Sequence, residues 1–375
     1  MNALHKDIIV VGAGIAGLSV ASELAGFRSV AVLERETQPG YHSTGRSAAL
    51  FFETYGSDVV RALTRASRAF YGATPAGFAP VPLIETCGAL FIARADQIES
   101  LEAFAAEEDV KRTGKIVSQA AVLALCPILR EDYVAAGLFD PAPASIDVAS
   151  LLEGYRRRLR ERQGALITGA DVTAISHDGE LWRVSTTAGE FTADIIVNAA
   201  GAWADVVARM AGVRPVGLEP RRRTAVLVRA DTADAFSTRA LIIDVDEQFY
   251  FHAESGGVLI SPADETLTVP CDAQPEELDV AIAVDRFTTA TNMDVRSVRS
   301  KWAGLRSFVG DRNPVVGFDP GNPRFFWLAA QGGYGIQTAP ALAELAAALV
   351  LRAEVPDRLA LAPSLVEKLS PVRFG

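Results

Sequence analysis

A nearly uncharged stretch, DIIVVGAGIAGLSVASELAG, occupies residues 7–26 near the start of the chain. It opens with β-branched residues over Ile8–Val11, a run that is typical of a strand buried on both faces. Small and apolar residues then recur at helical spacing as far as Gly26, which we predict to cap the helix. A second apolar run, SVAVL at 29–33, predicts another strand. The pattern therefore predicts a β–α–β unit.

Three glycines interrupt this stretch in the pattern G-x-G-x-x-G: Gly12, Gly14 and Gly17. A transmembrane helix would not place three glycines in its first half, and the stretch lacks the basic start and cleavage site of a signal peptide. Between a strand and a helix, the pattern is typical of a dinucleotide site, where the glycines allow a tight turn, close approach of a pyrophosphate and close packing. Glu34 follows the second strand and is expected to accept hydrogen bonds from ribose hydroxyls. Arg35 would suit a 2′-phosphate, which the acid before it disfavours.

A glycine-rich β–α–β unit serves NAD and FAD alike, and three later segments favour FAD. QPGYHSTGRSAA (38–49) is dense in small hydrogen-bond donors that suit a pyrophosphate and a flavin edge. ADIIVNAAGAWAD (193–205) reads as a strand that ends in residues small enough for a ligand to approach. FFWLAAQGGYGIQTAPALAELAAALV (325–350) reads as a strand, a glycine-rich loop and a helix, whose N-terminal dipole would stabilise the negative charge of a reduced flavin. An ordinary turn and ordinary strand-to-helix packing remain the alternatives for the first two.

The stretches between these segments alternate apolar and polar residues, as in TAVLVRA and GGVLISP, and predict antiparallel strands. We therefore predict an α/β fold (α+β overall), with a Rossmann-like FAD-binding domain interleaved with a substrate domain on a mixed, largely antiparallel sheet. The FAD-binding domain is expected to comprise residues 1–80, 145–215 and 300–375. The substrate-binding domain is expected to comprise residues 81–144 and 216–299.

Composition narrows the classes of function. The 375 residues carry a formal net charge of −10, which argues against a nucleic-acid groove. The basic stretch YRRRLRER (155–162) is interpreted as a solvated helix face, and Arg221 and Arg222 as surface charges. The three cysteines are far apart and the four histidines do not cluster, so we expect no disulfide and no metal site. We predict a cytoplasmic protein without a transmembrane segment.

The glycine pattern, YHSTGRSAA, VNAAGAWAD, WAGLRSF and AAQGGYGIQT occur in this order between about residues 7 and 345. Together they resemble the D-amino-acid oxidase-type flavoproteins (the DAO superfamily), and within it most closely the bacterial D-arginine dehydrogenase group and related FAD-dependent D-amino acid dehydrogenases. The resemblance implies non-covalent FAD, with His42 as the nearest histidine to check for a covalent link. The residues expected to bind FAD are Gly12, Gly14, Ile15, Ala16, Gly17, Glu34, Arg35, Ser43, Thr44, Gly45, Arg46, Ser47, Val172, Ala200, Gly201, Trp203, Gly304, Gly332, Gly333, Tyr334, Gly335, Ile336, Gln337 and Thr338.

Arg306 is the candidate for binding a substrate. It lies in the otherwise apolar KWAGLRSF, and a buried arginine needs an anionic partner. That partner is either an ion pair within the protein or, as the resemblance implies, a substrate carboxylate, which the planar guanidinium binds with two parallel hydrogen bonds. The resemblance adds Arg223, Tyr55 and Tyr250 to the site, with the Gly333 carbonyl facing the substrate amine.

Two departures from the D-arginine dehydrogenase pattern bear on the substrate. Leu50 replaces a histidine after GRSAA, and Ala89 replaces a glutamate that can pair with a substrate guanidinium. Leu241 and Ile243 also make the expected wall of the site apolar. We therefore predict a preference for neutral or apolar substrates over D-arginine, because a bound guanidinium would lack its charge partner.

The expected reaction is oxidative deamination of a D-amino acid to a 2-oxo acid and ammonia, by hydride transfer from Cα to flavin N5. Glu53 or Glu85 could take the place of the glutamate that Ala89 replaces and so pair with a substrate guanidinium. Neither a histidine nor a lysine is placed as a base, and the electron acceptor (O₂, a quinone or another molecule) stays open. The alternatives are oxidation of N-methyl or secondary amino acids, oxidation of a 2-hydroxy acid, and a non-catalytic FAD-binding module.

Overall fold

A computed structural model of the chain describes residues 4–229, 239–254, 257–359 and 363–374. Its strands are β1 (Leu4–Val11), β2 (Val30–Leu33), β3 (Leu50–Phe51), β4 (Ile84–Thr86), β5 (Ala89–Ala93), β6 (Lys115–Ser118), β7 (Ala136–Asp140), β8 (Ala144–Ile146), β9 (Ala165–Ile167), β10 (Val172–His177), β11 (Trp182–Thr186), β12 (Gly189–Asn198), β13 (Glu219–Arg229), β14 (Leu241–Asp244), β15 (Tyr250–Glu254), β16 (Gly257–Ser261), β17 (Thr266–Leu267), β18 (Ser297–Phe308), β19 (Val315–Asp319) and β20 (Asn322–Ala329). Its α-helices are α1 (Ile15–Leu24), α2 (Asp58–Gly72), α3 (Ile98–Ala105), α4 (Gln119–Leu125), α5 (Val148–Glu161), α6 (Ala204–Met210), α7 (Glu277–Ala290), α8 (Gly335–Leu351) and α9 (Pro363–Leu369).

An eight-stranded sheet forms the first layer. Its strands run in the order β10-β11-β12-β1-β2-β9, with β20 paired to β12 and β19 paired to β20. The adjacent strands β2, β1, β12 and β20 run parallel to one another, and Val11 lies opposite Leu33 and Asn198. The loops that follow these strands therefore meet at one edge, where open α/β sheets bind their ligands.

Close packing between β1 and α1 explains the third glycine of the pattern. A Cβ atom on Gly17 would lie 1.8 Å from the carbonyl oxygen of Gly12, so only glycine lets the helix approach the strand. Helix α1 ends at Leu24 with Ala25 as its C-cap, and the prediction of Gly26 as the cap is wrong. Because Ala25 keeps right-handed helical dihedral angles, this end requires no left-handed glycine.

A nine-stranded sheet forms the second layer. Its order is β17-β13-β16-β15-β14-β5-β7-β6, with β18 also paired to β13, and β3, β8 and β4 form a small third sheet. Within the described residues, the nine-stranded sheet contains one parallel pairing, between β14 and β5, and the others are antiparallel. The predicted fold class, with a mixed and largely antiparallel second sheet, is confirmed.

Strand β18 connects the two layers. It pairs with β13 along its length, and the predicted domain division at residue 300 falls inside it. Its C-terminal part reaches the loops of the first sheet: Ser43 donates a hydrogen bond to the Leu305 carbonyl at 2.6 Å, and the Gly332 amide donates one to the Ser307 carbonyl at 2.9 Å. The strand thus carries side chains of the second sheet to the ligand-binding edge of the first.

Among the described helices, none combines the length and the apolar composition that crossing a membrane requires.

Candidate active site

A groove begins at the carboxyl ends of β1, β2 and β12. Its first part is a cavity of about 160 Å³ lined by Gly12, Glu34, Val172 and Trp203. The Glu34 carboxylate is buried and accepts hydrogen bonds from the amides of Ala13 at 2.7 Å and of Glu36 at 2.9 Å. A fixed acid at this end of the groove suits the ribose of a dinucleotide.

The groove continues into a second cavity, also of about 160 Å³. The two cavities share Gly14, Ser43, Thr44 and other residues, and the second extends to the glycine-rich loop at 331–335 and to Arg306. The N-terminus of α1 lies where the cavities meet, and that of α8 lies at the far end. The first-turn amides of a helix lack acceptors within the helix and favour an anion. In α1 the Ile15 amide donates instead to Thr44 Oγ1, at 3.0 Å.

The glycines make room for a bound dinucleotide. Gly12 has φ +101°, and a Cβ atom there would lie 2.6 Å from the Ala199 carbonyl oxygen. Gly14 is the N-cap of α1, and because it has no side chain it leaves the space in front of the helix open. A groove of this length, with a ribose-binding acid at one end and helix N-termini at its middle and its far end, fits FAD.

Most residues that were predicted to bind FAD line the two cavities, and five do not. Those lining them are Gly12, Gly14, Ile15, Ala16, Glu34, Arg35, Ser43, Thr44, Arg46, Ser47, Val172, Ala200, Gly201, Trp203, Gly304, Gly332, Gly333, Gly335 and Ile336. The five others are Gly17, which packs on Gly12; Gly45, whose amide donates to the Gly40 carbonyl; Tyr334, which packs on Tyr55 and Phe308; Thr338, which donates to the Tyr334 carbonyl; and Gln337, which lines the third cavity.

Arg46 lines the second cavity and also joins the 38–49 segment to the second sheet. Its guanidinium forms an ion pair with Asp272 and donates to the carbonyls of Ala273 and Ala303, at 2.9 and 3.0 Å. Its contribution to FAD binding stays a prediction.

A third cavity of about 90 Å³ adjoins the second and shares Arg223, Tyr250, Arg306 and Gly333 with it. Its remaining walls are mainly apolar and include the predicted residues Leu50, Leu241 and Ile243, with Tyr55 beside Arg306. Phe52, Phe91 and Phe249 complete these walls. The cavity thus presents two guanidinium groups in apolar surroundings, next to the far end of the groove.

Arg306 is a partly buried cation without an anionic partner among the described residues. Within this part of the chain its side chain forms one hydrogen bond to another side chain, from Nη1 to the Tyr55 hydroxyl at 3.4 Å. Removal from water disfavours the charged guanidinium, but the nearby phenols of Tyr55 and Tyr250 outweigh this effect, and the pKa of Arg306 is raised. A partly buried, charged guanidinium with free donors that faces a cavity is a site for an oxyanion.

Arg223 also lines the cavity, but protein groups hold part of its guanidinium. Nε donates to the Asp264 carbonyl at 2.8 Å, and Nη2 lies 3.2 Å from Glu265. The preceding Arg222 points to the opposite face of β13, where it is buried and paired with acids of the α7 region, Glu276 and Asp279. The prediction that Arg222 is a surface charge is wrong, because strand alternation turns it under α7.

The acids considered from the sequence do not reach this cavity. Ala89 is buried in β5 opposite Leu241 and does not line it, whereas Phe91 does. Both candidate replacements form ion pairs outside the cavity lining, Glu53 with Arg68 and Glu85 with Arg239.

Glu247 lines the cavity, and sequence reasoning missed it. Its carboxylate lies 3.5 Å from the Tyr55 hydroxyl, at an exposed turn between β14 and β15. The residue has φ +55°, which is uncommon for a side chain other than glycine. Nothing in the segment DVDEQF distinguishes this acid from its exposed neighbours, so only the fold brings it to the site.

The histidine that was named for a possible covalent link lies at the other end of the groove. His42 contacts Trp203 and lies 3.0 Å from Glu36, in the first cavity. His5, Asp7 and Asp194 have ligand atoms within 4.8 Å of one another outside the groove. Exposed groups of this kind are common without an ion, and the expectation of no metal site stays a prediction.

Comparisons with known proteins agree with this geometry. Human mitochondrial dimethylglycine dehydrogenase is 25% identical over 407 residues, covering 99% of this chain and 44% of that protein. Glycine oxidase of Pseudomonas putida is 25% identical over 363 residues, covering 94% of this chain and 96% of that protein. The chain spans less than half the length of the dimethylglycine dehydrogenases it matches.

Solved structures show the same fold. Glycine oxidase from Geobacillus kaustophilus superimposes with a TM-score of 0.81 at 22% identity, covering 96% of this chain and 98% of that one. L-proline dehydrogenase from P. horikoshii gives 0.80 at 21% identity, covering 100% and 98%. These similarities do not point to the D-arginine dehydrogenase group in particular. A model of the DAO family, described as FAD dependent oxidoreductase, matches residues 7–349, and the chain belongs to this family.

Proposed function

We propose that this chain binds FAD without a covalent link and oxidises the Cα–N bond of a small amino acid. The observation that carries the proposal is Arg306, a partly buried cation that faces the third cavity and has no anionic partner among the described residues. A substrate carboxylate would supply the missing charge and occupy the free donors of the guanidinium. The same cavity adjoins the far end of the groove, so Cα of a bound amino acid would lie near the flavin.

Glycine and N-substituted amino acids are the preferred substrate class. The similar proteins are named for glycine, dimethylglycine and L-proline, which are small and uncharged beyond the amino acid group. The cavity of about 90 Å³ is compact, and its apolar walls offer few partners to a polar side chain. Both features support a substrate of this size.

A second candidate is a D-amino acid with a neutral side chain. The apolar wall formed by Leu50, Leu241 and Ile243 favours it. D-arginine is the poorest fit, because Glu53 and Glu85 are paired elsewhere and Ala89 offers no charge. Glu247 lines the cavity beside Tyr55, whose hydroxyl also contacts Arg306.

The mechanism follows from what these residues can do. Arg306 and Arg223 hold the carboxylate, Tyr55 and Tyr250 complete its hydrogen bonds, and the Gly333 carbonyl accepts one from the amine. FAD, when bound, accepts a hydride at N5. The amine must first lose its proton, and Glu247 offers a carboxylate at the rim to receive it. The apolar walls exclude water, and the α8 N-terminus favours negative charge at this end of the groove.

Anaerobic flavin reduction tests the proposal. The protein is loaded with FAD and mixed with glycine, sarcosine, N,N-dimethylglycine, D- and L-proline, D-leucine, D-arginine and lactate, while the flavin band near ~450 nm is followed. We expect the fastest bleaching with glycine, its N-methyl derivatives or proline. Bleaching by lactate alone would indicate a 2-hydroxy acid enzyme, and no bleaching by any compound would indicate a non-catalytic module.

Relative turnover separates the two amino acid classes, and product analysis identifies the bond that is oxidised. Oxidation of sarcosine at its Cα–N bond releases methylamine after hydrolysis of the imine, whereas a primary amino acid releases ammonia. We expect turnover of sarcosine or proline to exceed that of D-leucine. The reverse order would favour the D-amino acid candidate.

A further inference from the structure

Glu265 lies between a buried arginine of the site and an exposed arginine outside it. Its Oε1 is 3.2 Å from Nη2 of Arg223. The same carboxylate binds Arg312 through both oxygens, at 2.9 and 3.1 Å. One carboxylate therefore shares its charge between two guanidinium groups.

The two arginines differ in their surroundings. The Arg223 side chain is 9% exposed and lines the third cavity, whereas that of Arg312 is 45% exposed. Arg312 also stacks over the Phe308 ring, with Cζ 3.9 Å from the ring centroid. Water screens the charge of Arg312, so Glu265 has its larger effect on the buried Arg223.

Glu265 is ionised in this arrangement. Burial raises its pKa, but the hydrogen bonds and charge of Arg312, together with the charges of Arg223 and Arg306, outweigh burial and leave the pKa below its ordinary value. The neighbouring Asp264 does not form an ion pair with Arg223: its carboxylate accepts hydrogen bonds from the amide and hydroxyl of Thr224, and burial raises its pKa. Among the described carboxylates, Glu265 is therefore the one that pairs with the Arg223 guanidinium.

We propose that Glu265 is a positioning residue that cancels much of the charge of Arg223 and so sets the site for one carboxylate rather than two. The inference rests on the proposed function, in which Arg306 and Arg223 receive a substrate carboxylate. Without Glu265, two guanidinium groups without a paired acid would face the cavity and would suit a dianion. With it, Arg306 supplies most of the net charge, and Arg223 supplies mainly hydrogen-bond donors.

Two variants with opposite expected effects test this inference in the FAD-loaded protein. Glu265→Gln keeps the size and the acceptor oxygen but removes the charge. Arg312→Gln removes the competing partner, so that the whole charge of Glu265 acts on Arg223. The probes are propionate, with one charge, and malonate, with two, and their Kd values are read from the flavin difference spectrum.

Glu265→Gln should lower the Kd of propionate severalfold and that of malonate by roughly tenfold or more. The reason is that loss of the Glu265 charge makes the site more positive, and this acts on both carboxylates of a dianion. Arg312→Gln should raise both Kd values, and that of malonate by more. A purely structural role would weaken binding in both variants and leave the ratio of the two Kd values unchanged, which would overturn the inference. Unchanged Kd values in both variants would overturn it as well.

Failure of this inference can be told apart from failure of the proposed function. If propionate produces no spectral change in the unaltered protein, the carboxylate site itself is absent. If it does, but Glu265→Gln leaves the ratio of Kd values unchanged, only the role of Glu265 is lost. Arg312 is largely exposed, so Arg312→Gln decides the matter alone should Glu265→Gln not fold.

Discussion

At the scale of single residues, Arg306 combines partial burial, positive charge and the lack of a protein anion among the described residues. The sequence pointed to the first two features, because Arg306 stands in the otherwise apolar segment KWAGLRSF. It left the third open, because an ion pair depends on which distant acids the fold brings near. Glu247 and Glu265 could not be predicted for the same reason. In its own segment, each looks like an acid that faces solvent, and its contacts at the site come from distant parts of the chain.

Gly333→Ala tests the position of the Arg306 guanidinium without removing its charge. A Cβ atom at this position would lie 2.7 Å from Cζ of Arg306, so the guanidinium must shift. We expect KM for the amino acid to rise by roughly tenfold or more, since small displacements of a positioning group cost large factors in rate or affinity. FAD content and Tm should change little, because the contact is with the end of a flexible side chain.

Gly310→Ala is the matched control, because no atom outside its chain neighbours lies within 4 Å of a Cβ atom built there. Steady-state kinetics on both variants decides the outcome. An unchanged KM in Gly333→Ala, or an equal rise in both variants, would contradict the assigned position of Arg306.

At the scale of elements, the first β–α–β unit was the part of the fold most accessible from the sequence. Periodicity and glycine spacing are local, and they predicted β1, α1 and β2 with small errors at the ends. Arg46 shows the limit of such reasoning. Its segment lines the groove, but its guanidinium contacts Asp272, more than 200 residues away. Partners at that separation are set by the packing of the two sheets.

Gly17→Ala tests the contact between β1 and α1. The added methyl group would lie 1.8 Å from the Gly12 carbonyl oxygen, and backbone must move to relieve the clash. We expect the variant to purify with little FAD and with a Tm lower by roughly 1–4 °C, since overpacking in a rigid contact costs about 1–3 kcal/mol. Absorbance spectra and thermal melting measure both effects.

Gly72→Ala serves as its control, because a Cβ atom at the end of α2 meets no atom within 4 Å. That variant should retain FAD and an unchanged Tm. Normal FAD content in Gly17→Ala would contradict the role of the glycine pattern in holding the dinucleotide.

At the scale of the whole molecule, the order of the motifs along the chain predicted the fold class and the presence of two sheets. It did not predict where one sheet gives way to the other. Strand β18 pairs with β13 in the second sheet and meets the loops of the first, so the predicted division at residue 300 cuts a continuous strand. Interleaved chains lack a linker with a distinct composition, and their division cannot be read from local patterns.

The placement of His42 leads to a prediction for the whole protein. This histidine lies beside Trp203 and Glu36, at the ribose end of the groove, and not at the end that carries Arg306. We therefore expect FAD to be released when the protein is denatured in acid and centrifuged, with the yellow colour in the supernatant. Colour that stays with the pellet would show a covalent link and contradict the prediction.

The most direct test of the central claim, that the partly buried guanidinium of Arg306 receives a carboxylate beside bound FAD, is the binding of propionate to Arg306→Met. The unaltered protein and Arg130→Met, a variant of an exposed arginine paired with Asp132, should both show a saturable flavin difference spectrum. Arg306→Met should keep its FAD and lose this response, or need at least roughly a hundredfold more propionate, as expected for loss of a buried charge-assisted pair. An equal Kd in all three proteins would contradict the claim.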